Sequence, residues 1–251
     1  MNDKSIKQQT IIEKLLPKIK YVKIAGSFIP LPEHRWCGPE FKDDTYYLKS
    51  AENESLRLEN YFNCNQDSKV LDIGCGQGRL PIGILRRIGS LNYLGLDIDK
   101  KSIKWCKKYI QNKNTAFKFR YLNIYNERYN NDGVRLDRNF KFEIESDYFD
   151  IVYLYSVFSH TTENDMRIYL KEISRILHKT GKLFFTTFVE DEVVNFTINP
   201  KDHHLSMSGP LHVVQYEKKY LFSIIKEYDF AIQEFIHKAE ADGQSALYLS
   251  K

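Results

Sequence analysis

Val70-Leu71-Asp72-Ile73-Gly74-Cys75-Gly76-Gln77-Gly78-Arg79 is the stretch on which the reading of this chain turns. An apolar run ends in an acid, three glycines follow at alternate positions, and a helix-like segment begins at Arg79. Such a strand-to-helix corner lets a ligand reach backbone that any side chain would cover. The spacing is not that of the dinucleotide fingerprint. Its third glycine comes one residue early, and Arg79 stands where that motif has Gly.

Outward from this corner, Lys69 to Ile73 reads as a first strand, and Arg79 to Ile88 as a helix that tolerates Pro81 in its first turn. Tyr93 to Asp97 reads as a second strand. Asp99 can cap a helix whose Ile103, Cys106, Tyr109 and Ile110 share a face. Phe117 to Leu122 alternates as a third strand, and residues 125 to 147 read as a surface loop. Phe149 to Tyr155 is the fourth strand. Thr162 opens a helix with Met166, Tyr169, Leu170, Ile173, Ile176 and Leu177 at steps of three and four, and Gly181 is expected to stop it. Leu183 to Phe188 is the fifth strand, and Val189 to Lys219 resembles a long insertion. Tyr220 to Tyr228 is expected to be helical, with closing strands over Ala231 to His237 and Ala246 to Ser250. Upstream, residues 5 to 20 show helical spacing, Arg35 to Tyr47 reads as irregular, and Ala51 to Tyr61 as a helix. Alternating strands and helices imply a parallel α/β sheet covered on both faces. The last connection is too short for a parallel crossover, so the final two strands are expected to be antiparallel.

The 251 residues suffice for one α/β domain with a cap. Lys and Arg exceed Asp and Glu by 37 to 33, and the basic residues read as scattered, so no nucleic-acid partner is expected. Cys37, Cys64, Cys75 and Cys106 form no zinc-like spacing and read as buried thiols in a reducing compartment. No segment has the continuous apolar length of a membrane span or a signal peptide. The expectation is a soluble, cytoplasmic protein.

Asp72-x-Gly74-x-Gly76-x-Gly78 resembles motif I of the class I S-adenosylmethionine (AdoMet) methyltransferases. The resemblance implies AdoMet as cofactor, S-adenosylhomocysteine as product, and a Rossmann-like seven-stranded sheet. Its strand order would be 3-2-1-4-5-7-6 with strand 7 antiparallel, helices on both faces and an N-terminal helical extension. It also implies one domain: a helical lid (1–62), an AdoMet-binding core (63–188), a substrate-cap insertion (189–219) and a closing helix and hairpin (220–251). Gly74, Cys75, Gly76 and Gly78 would approach the methionine and ribose parts, and Asp97 at the end of the second strand would accept the ribose hydroxyls. Ile98 and Ile124 would give the adenine an apolar face, Asn123 would bind its edge, and Asp72 would reach the methionine ammonium.

The acceptor side is read from the residues past strand four. Tyr46, Tyr47, Tyr155 and Phe158 are candidate walls that keep water from the sulfonium, Tyr155 counted with the cofactor-binding residues and Tyr46 and Tyr47 with the substrate, and core packing is the alternative for Phe158. His160 is the first choice of general base. The competing reading has it bonded to backbone at the start of the next helix. His203, His204 and His212, in the insertion, are candidate substrate ligands or bases, and no metal site is expected. Gly95-Leu96-Asp97-Ile98, Trp105-Cys106, Phe149-Asp150 and Ser156 to His160 further resemble a branch of these enzymes associated with glycan biosynthesis. That branch implies O-methylation of a sugar hydroxyl, in a nucleotide-activated sugar or a surface-polysaccharide precursor. Two alternatives stay open: another small-molecule or nucleic-acid acceptor, and an AdoMet-binding partner protein without turnover. Strand four lacks the Asp/Asn-Pro-Pro-aromatic group of base methylation.

Overall fold

A computed structural model describes residues 21–35 and 38–251. The helix expected over residues 5 to 20, and Cys37, lie outside the described residues. The chain opens with a hairpin, β1 (Val22–Ile24) and β2 (Ser27–Ile29), then two short 3-10 turns, Pro32–His34 and Pro39–Lys42. The hairpin is a correction to the wholly helical extension the sequence suggested. Its tip, Ala25-Gly26, takes positive φ at both residues, and two three-residue strands leave little alternation to read.

The second helix is longer than expected. Helix α1 spans Asp44–Phe62, because Asp43 caps it by accepting from the Tyr46 amide at 2.7 Å, so Arg35 to Tyr47 is only partly irregular. Next come β3 (Lys69–Ile73), α2 (Arg79–Arg87), β4 (Asn92–Asp97) and α3 (Lys100–Cys106), which runs into a π turn over Lys107–Gln111. Strand β5 (Phe117–Tyr121), a long loop, β6 (Phe149–Leu154) and α4 (Glu163–Ile176) follow. Asp99 caps α3 and Thr162 caps α4, as their positions suggested.

Gly181 does not stop α4. Leu177 is already extended, and the chain passes directly into β7 (Leu177–Glu190). Gly181 lies within that strand, where a Cβ would come 2.5 Å from Leu177 Cγ. The pairing of β6 with β7 slips between Phe149 and Ile151, and this bulge absorbs the extra residues.

The stretch after β7 is not a plain insertion. It holds β8 (Phe196–Ile198) and β9 (Val214–Glu217), and β9 pairs with the end of β7 in parallel and with β8 antiparallel. Helix α5 (Lys218–Glu227), β10 (Ala231–Ile236) and β11 (Ser245–Ser250) close the chain.

The main path of the sheet is β10-β11-β7-β6-β3-β4-β5. Numbered as the sequence strands were, this is the expected order 3-2-1-4-5-7-6, with β11 antiparallel to both of its neighbours. The count differs: β8 and β9 make the sheet nine-stranded. Two cores flank it. Leu183 and Phe185 of β7 pack toward α4 and α5, whereas Phe184 between them packs toward α1 and α2. Each such side chain contributes about 1.5–3 kcal/mol by leaving water. Helix α1 meets α2 at Gly83, where a Cβ would lie 1.9 Å from the Ala51 carbonyl oxygen. That backbone contact brings the polar face of α1 to the rim of the glycine corner.

Candidate active site

The corner between β3 and α2 is built from backbone. The Gly74 and Cys75 amides both donate to the Leu96 carbonyl, at 2.7 and 3.1 Å, which ties the loop to β4. Gly74, Gly76 and Gly78 all have positive φ. A Cβ on Gly74 would strike Val157 at 2.4 Å, and one on Gly78 would strike Ile110 at 2.6 Å. At Gly76 nothing lies within 4 Å. Bare backbone thus faces an open crevice at the one loop position where a bound nucleoside could replace the missing side chain.

Asp97, at the end of β4, accepts from the Gly76 amide through Oδ2 (2.7 Å) and from the Asp99 amide through Oδ1 (2.6 Å). It is half-buried, and burial pushes its carboxyl up to about 6 while these amides pull it back. A carboxylate can accept further bonds beyond these two, so ribose hydroxyls can be added without displacing the loop. The open cradle at Gly76 and the aimed carboxylate beside it fit a sulfonium nucleoside.

Asp72 sits deeper. It is 3% exposed and accepts from the Tyr93 hydroxyl at 2.5 Å. Burial pushes it up to about 8, against the opposing pull of that hydrogen bond, so it holds a proton at neutral pH. The Cys75 thiol points beneath the loop. Its Sγ and that of Cys106 lie 3.8 and 3.4 Å from the same Gly76 carbonyl oxygen, and burial pushes the Cys75 thiol up. Only the backbone of Cys75 is therefore free to meet a ligand. Ile98 is half-buried against the core, and Ile124 is buried. Asn123 and Ile124 line a cavity of about 270 Å³ beside β5, and Asn123 Oδ1 accepts from the Tyr121 hydroxyl at 3.0 Å.

A charged cluster that the sequence did not disclose borders this corner. Arg79 pairs with the buried Glu54 of α1 and stacks between the Phe41 and Tyr155 rings, at 4.8 and 4.6 Å. Arg57 of α1 bonds Glu240 at 2.5 Å, and the Tyr155 hydroxyl donates to the other Glu240 oxygen at 2.8 Å. Burial pushes Glu54 up despite its arginines. The only local signal was Arg79 itself, directly after the third glycine. Glu54, Arg57 and Glu240 come from distant segments.

Beyond β6 lies a hydrogen-bonded rim. Ser156 holds φ +56, a strained value for a non-glycine residue. Its amide donates to Thr186 Oγ1 (2.8 Å), and its hydroxyl accepts from Gln244 Nε2 (2.8 Å). Gln244 in turn accepts from Thr186 Oγ1 (2.8 Å) and donates to Asp242 (2.7 Å). His160 Nδ1 meets the Leu211 carbonyl oxygen at 3.0 Å, and a carbonyl can only accept, so the proton is on Nδ1. Nε2 is left as the acceptor facing Ser156 Oγ at 3.4 Å. Burial lowers the ring to about 4, more than the Leu211 bond restores. His160 is thus neutral at physiological pH, and it is indeed bonded to backbone, while Thr162 rather than His160 caps α4.

The other candidates divide. His212 Nδ1 accepts from the Ser208 amide at 2.8 Å, and burial lowers its ring below the ordinary histidine value. His203 and His204 lie side by side, ring centroids 4.4 Å apart. His203 packs edge-on to Phe188, and His204 bonds the Asp242 carbonyl. Tyr46 is exposed, against Phe41. Tyr47 is a correction: it is buried in the core beneath α1 with the Arg35 guanidinium 4.7 Å over its ring, so it walls no crevice. Phe158 is likewise core. Among the described residues, no group of three or more His, Cys, Asp or Glu is placed to hold a metal ion. Among them too, no helix is long and apolar enough to cross a membrane.

Residues 71–185 match the protein family described as Methyltransferase domain. With the sheet order and the glycine corner, that match makes this part of the chain similar to the class I AdoMet-dependent methyltransferases, with AdoMet as the cofactor. The ubiquinone/menaquinone biosynthesis C-methyltransferase UbiE of Wigglesworthia glossinidia brevipalpis is 25% identical over 192 residues, covering 69% of this chain and 70% of that protein. An uncharacterized methyltransferase of Schizosaccharomyces pombe is 22% identical, and the match spans 76% of this chain and 59% of that one. The fold is shared with the PH0226 protein of Pyrococcus horikoshii OT3 (TM-score 0.57, 16% identity, 83% and 92% of the two chains). It is shared also with the 1,6-didemethyltoxoflavin-N1-methyltransferase of Burkholderia thailandensis, a structure with S-adenosylhomocysteine bound (TM-score 0.55, 13% identity, 83% and 81%).

Proposed function

We propose that this methyltransferase acts on a hydroxyl of a small polar acceptor, a sugar hydroxyl in a nucleotide-activated sugar or surface-polysaccharide precursor, and does so in the cytoplasm. The observation that carries the reading is the half-buried, uncharged pair Ser156 and His160 beside the glycine corner, held from behind by the buried Ser159 and Gln244. Such groups suit a neutral, hydroxylated ligand. The Ser156 to His160 motif of the glycan-associated branch supports the same reading.

AdoMet, when bound, supplies an electrophilic methyl group on a sulfonium. In this proposal Gly74, Gly76 and Gly78 receive it through backbone, Asp97 holds the ribose, and Ile98, Asn123 and Ile124 hold the adenine. Arg79 and the protonated Asp72 border the methionine end. Tyr155 walls the cofactor, Tyr46, His203, His204 and His212 bound the acceptor side, and residues 189–219 cap it. The N-terminal segment, residues 1–62, acts as a lid over the 63–188 core, and residues 220–251 close the sheet. His160 Nε2 takes the acceptor proton. Alignment of donor and acceptor lowers the barrier by up to about 7–11 kcal/mol without a covalent intermediate.

A pKa near 4 makes His160 a weak base, which favours a second reading: an acceptor that needs little deprotonation, such as an amine or an activated carbon. The names of the C-methyltransferase and N1-methyltransferase relatives point the same way. Incubating the protein with AdoMet and a panel of sugar nucleotides, phenols and heteroaromatic amines, then reading mass spectra, separates the two. A methyl gained on a sugar supports the first. A methyl gained only on carbon or nitrogen replaces it, and AdoMet binding with no turnover on any acceptor points to a non-catalytic partner protein.

A further inference from the structure

Eight of the 37 Lys and Arg, and none of the 33 Asp and Glu, lie between Lys100 and Arg120. The rest of the chain is therefore net acidic. In the fold this stretch becomes α3, the π turn and β5, the edge strand of the sheet. Ile103, Trp105, Cys106 and Ile110 turn inward, so all eight cations are exposed on one border of the molecule. The basic residues are therefore not scattered, as they first read: this run of the sequence concentrates eight of them.

These cations have few counter-charges. Of the eight, Arg120 alone forms an ion pair among the described residues, with Glu143 at 3.8 Å. Lys113 is held below its ordinary range, by burial and by Lys23 beside it. Between the π turn and β5 runs a groove of about 580 Å³ whose lining includes Lys107, Lys118 and Arg120. Half-buried rings stand among the lysines. Tyr109 packs with Tyr21 at 5.0 Å under Lys108, Phe28 lies under Lys113, and Tyr121 lies under Lys100. No large exposed hydrophobic residue falls between 100 and 120. A membrane surface would want protruding apolar side chains here, and an acidic protein would have no use for the rings.

We propose that this face binds a single-stranded nucleic acid, with backbone phosphates along the Lys107, Lys118 and Arg120 groove and bases against the Tyr109 and Tyr121 rings. The face is centred on edge strand β5, separated from β6 and its Ser156 rim by β3 and β4, and adjoins the Asn123 cavity at Arg120 and Tyr121, so we assign it as a docking surface and not the methyl-acceptor site. It stands or falls independently of the sugar reading.

Fluorescence anisotropy of the full chain with a labelled single-stranded RNA of about 20 nucleotides, at about 50 mM salt, tests it. The expected result is saturable binding that weakens about tenfold or more on raising salt to about 200 mM. The triple variant Lys107→Glu, Lys113→Glu, Lys118→Glu should lose affinity about tenfold or more while keeping wild-type AdoMet binding, which certifies its fold. Tyr109→Leu should weaken RNA binding several-fold but leave heparin binding unchanged. Three results would overturn the proposal: no anisotropy change up to about 50 μM protein, triple-variant affinity equal to wild type, or equally tight binding of duplex RNA.

Discussion

The glycine corner and the Ser156 rim adjoin at the strand ends, where a Cβ on Gly74 would lie 2.4 Å from Val157, yet they are made of different material. The corner is backbone and one carboxylate, all within Asp72 to Asp97. The rim is side chains drawn from β6, β7, the stretch before β9 and the turn before β11, joined through Gln244. On the function proposed above, the donor would be held by residues close together in the chain, and the acceptor by side chains that only the fold assembles.

The comparison can be broken most sharply at His160. If the rim removes the acceptor proton, His160→Ala lowers turnover by about a hundredfold, the low end for a weak base. AdoMet affinity by calorimetry should stay unchanged; a parental rate puts the base elsewhere. The converse is Asp97→Ala, which should weaken AdoMet binding by about 1.5–3 kcal/mol for a lost charged hydrogen bond. Unchanged affinity removes Asp97 from the ribose.

Asp72 sharpens the contrast through pH. Its carboxyl rises from an ordinary 3.8 to about 8, so the stability it contributes is complete below pH 4 and is lost as pH climbs to 8. Asp72→Asn should remove a slope of up to about 1.4 kcal/mol per pH unit across that window. Urea denaturation at several pH values reads it, and an identical slope in the variant shows that another group titrates. The smallest effect is expected at Gln244→Leu. It frees the Ser156 hydroxyl and should raise the acceptor KM several-fold with AdoMet affinity intact, and equal losses of both would make Gln244 merely structural.

This division explains what could be read in advance. The main sheet order, Asp99 as a cap and the glycine corner were legible because each depends on neighbours within a few residues. Gly181 misled because a helix end and a strand bulge want the same missing side chain. The β8 and β9 pair escaped because three- and four-residue strands carry no measurable alternation. Tyr47 looked like a wall beside Tyr46, but adjacent residues on a helix face different ways, and here Tyr47 turns inward while Tyr46 stays exposed. Arg57, Glu240 and Gln244 left no sequence trace, since their partners are far along the chain.

The two thiols under Gly76 have a further use. Cys75 and Cys106 share one carbonyl of the corner and are shielded by it, while Cys64 is buried elsewhere, at the end of α1. Alkylation of the first pair therefore clocks how often the loop lifts, with Cys64 as an internal standard for global unfolding. Slower labelling of the pair as AdoMet is titrated in would give a dissociation constant before any acceptor has been identified.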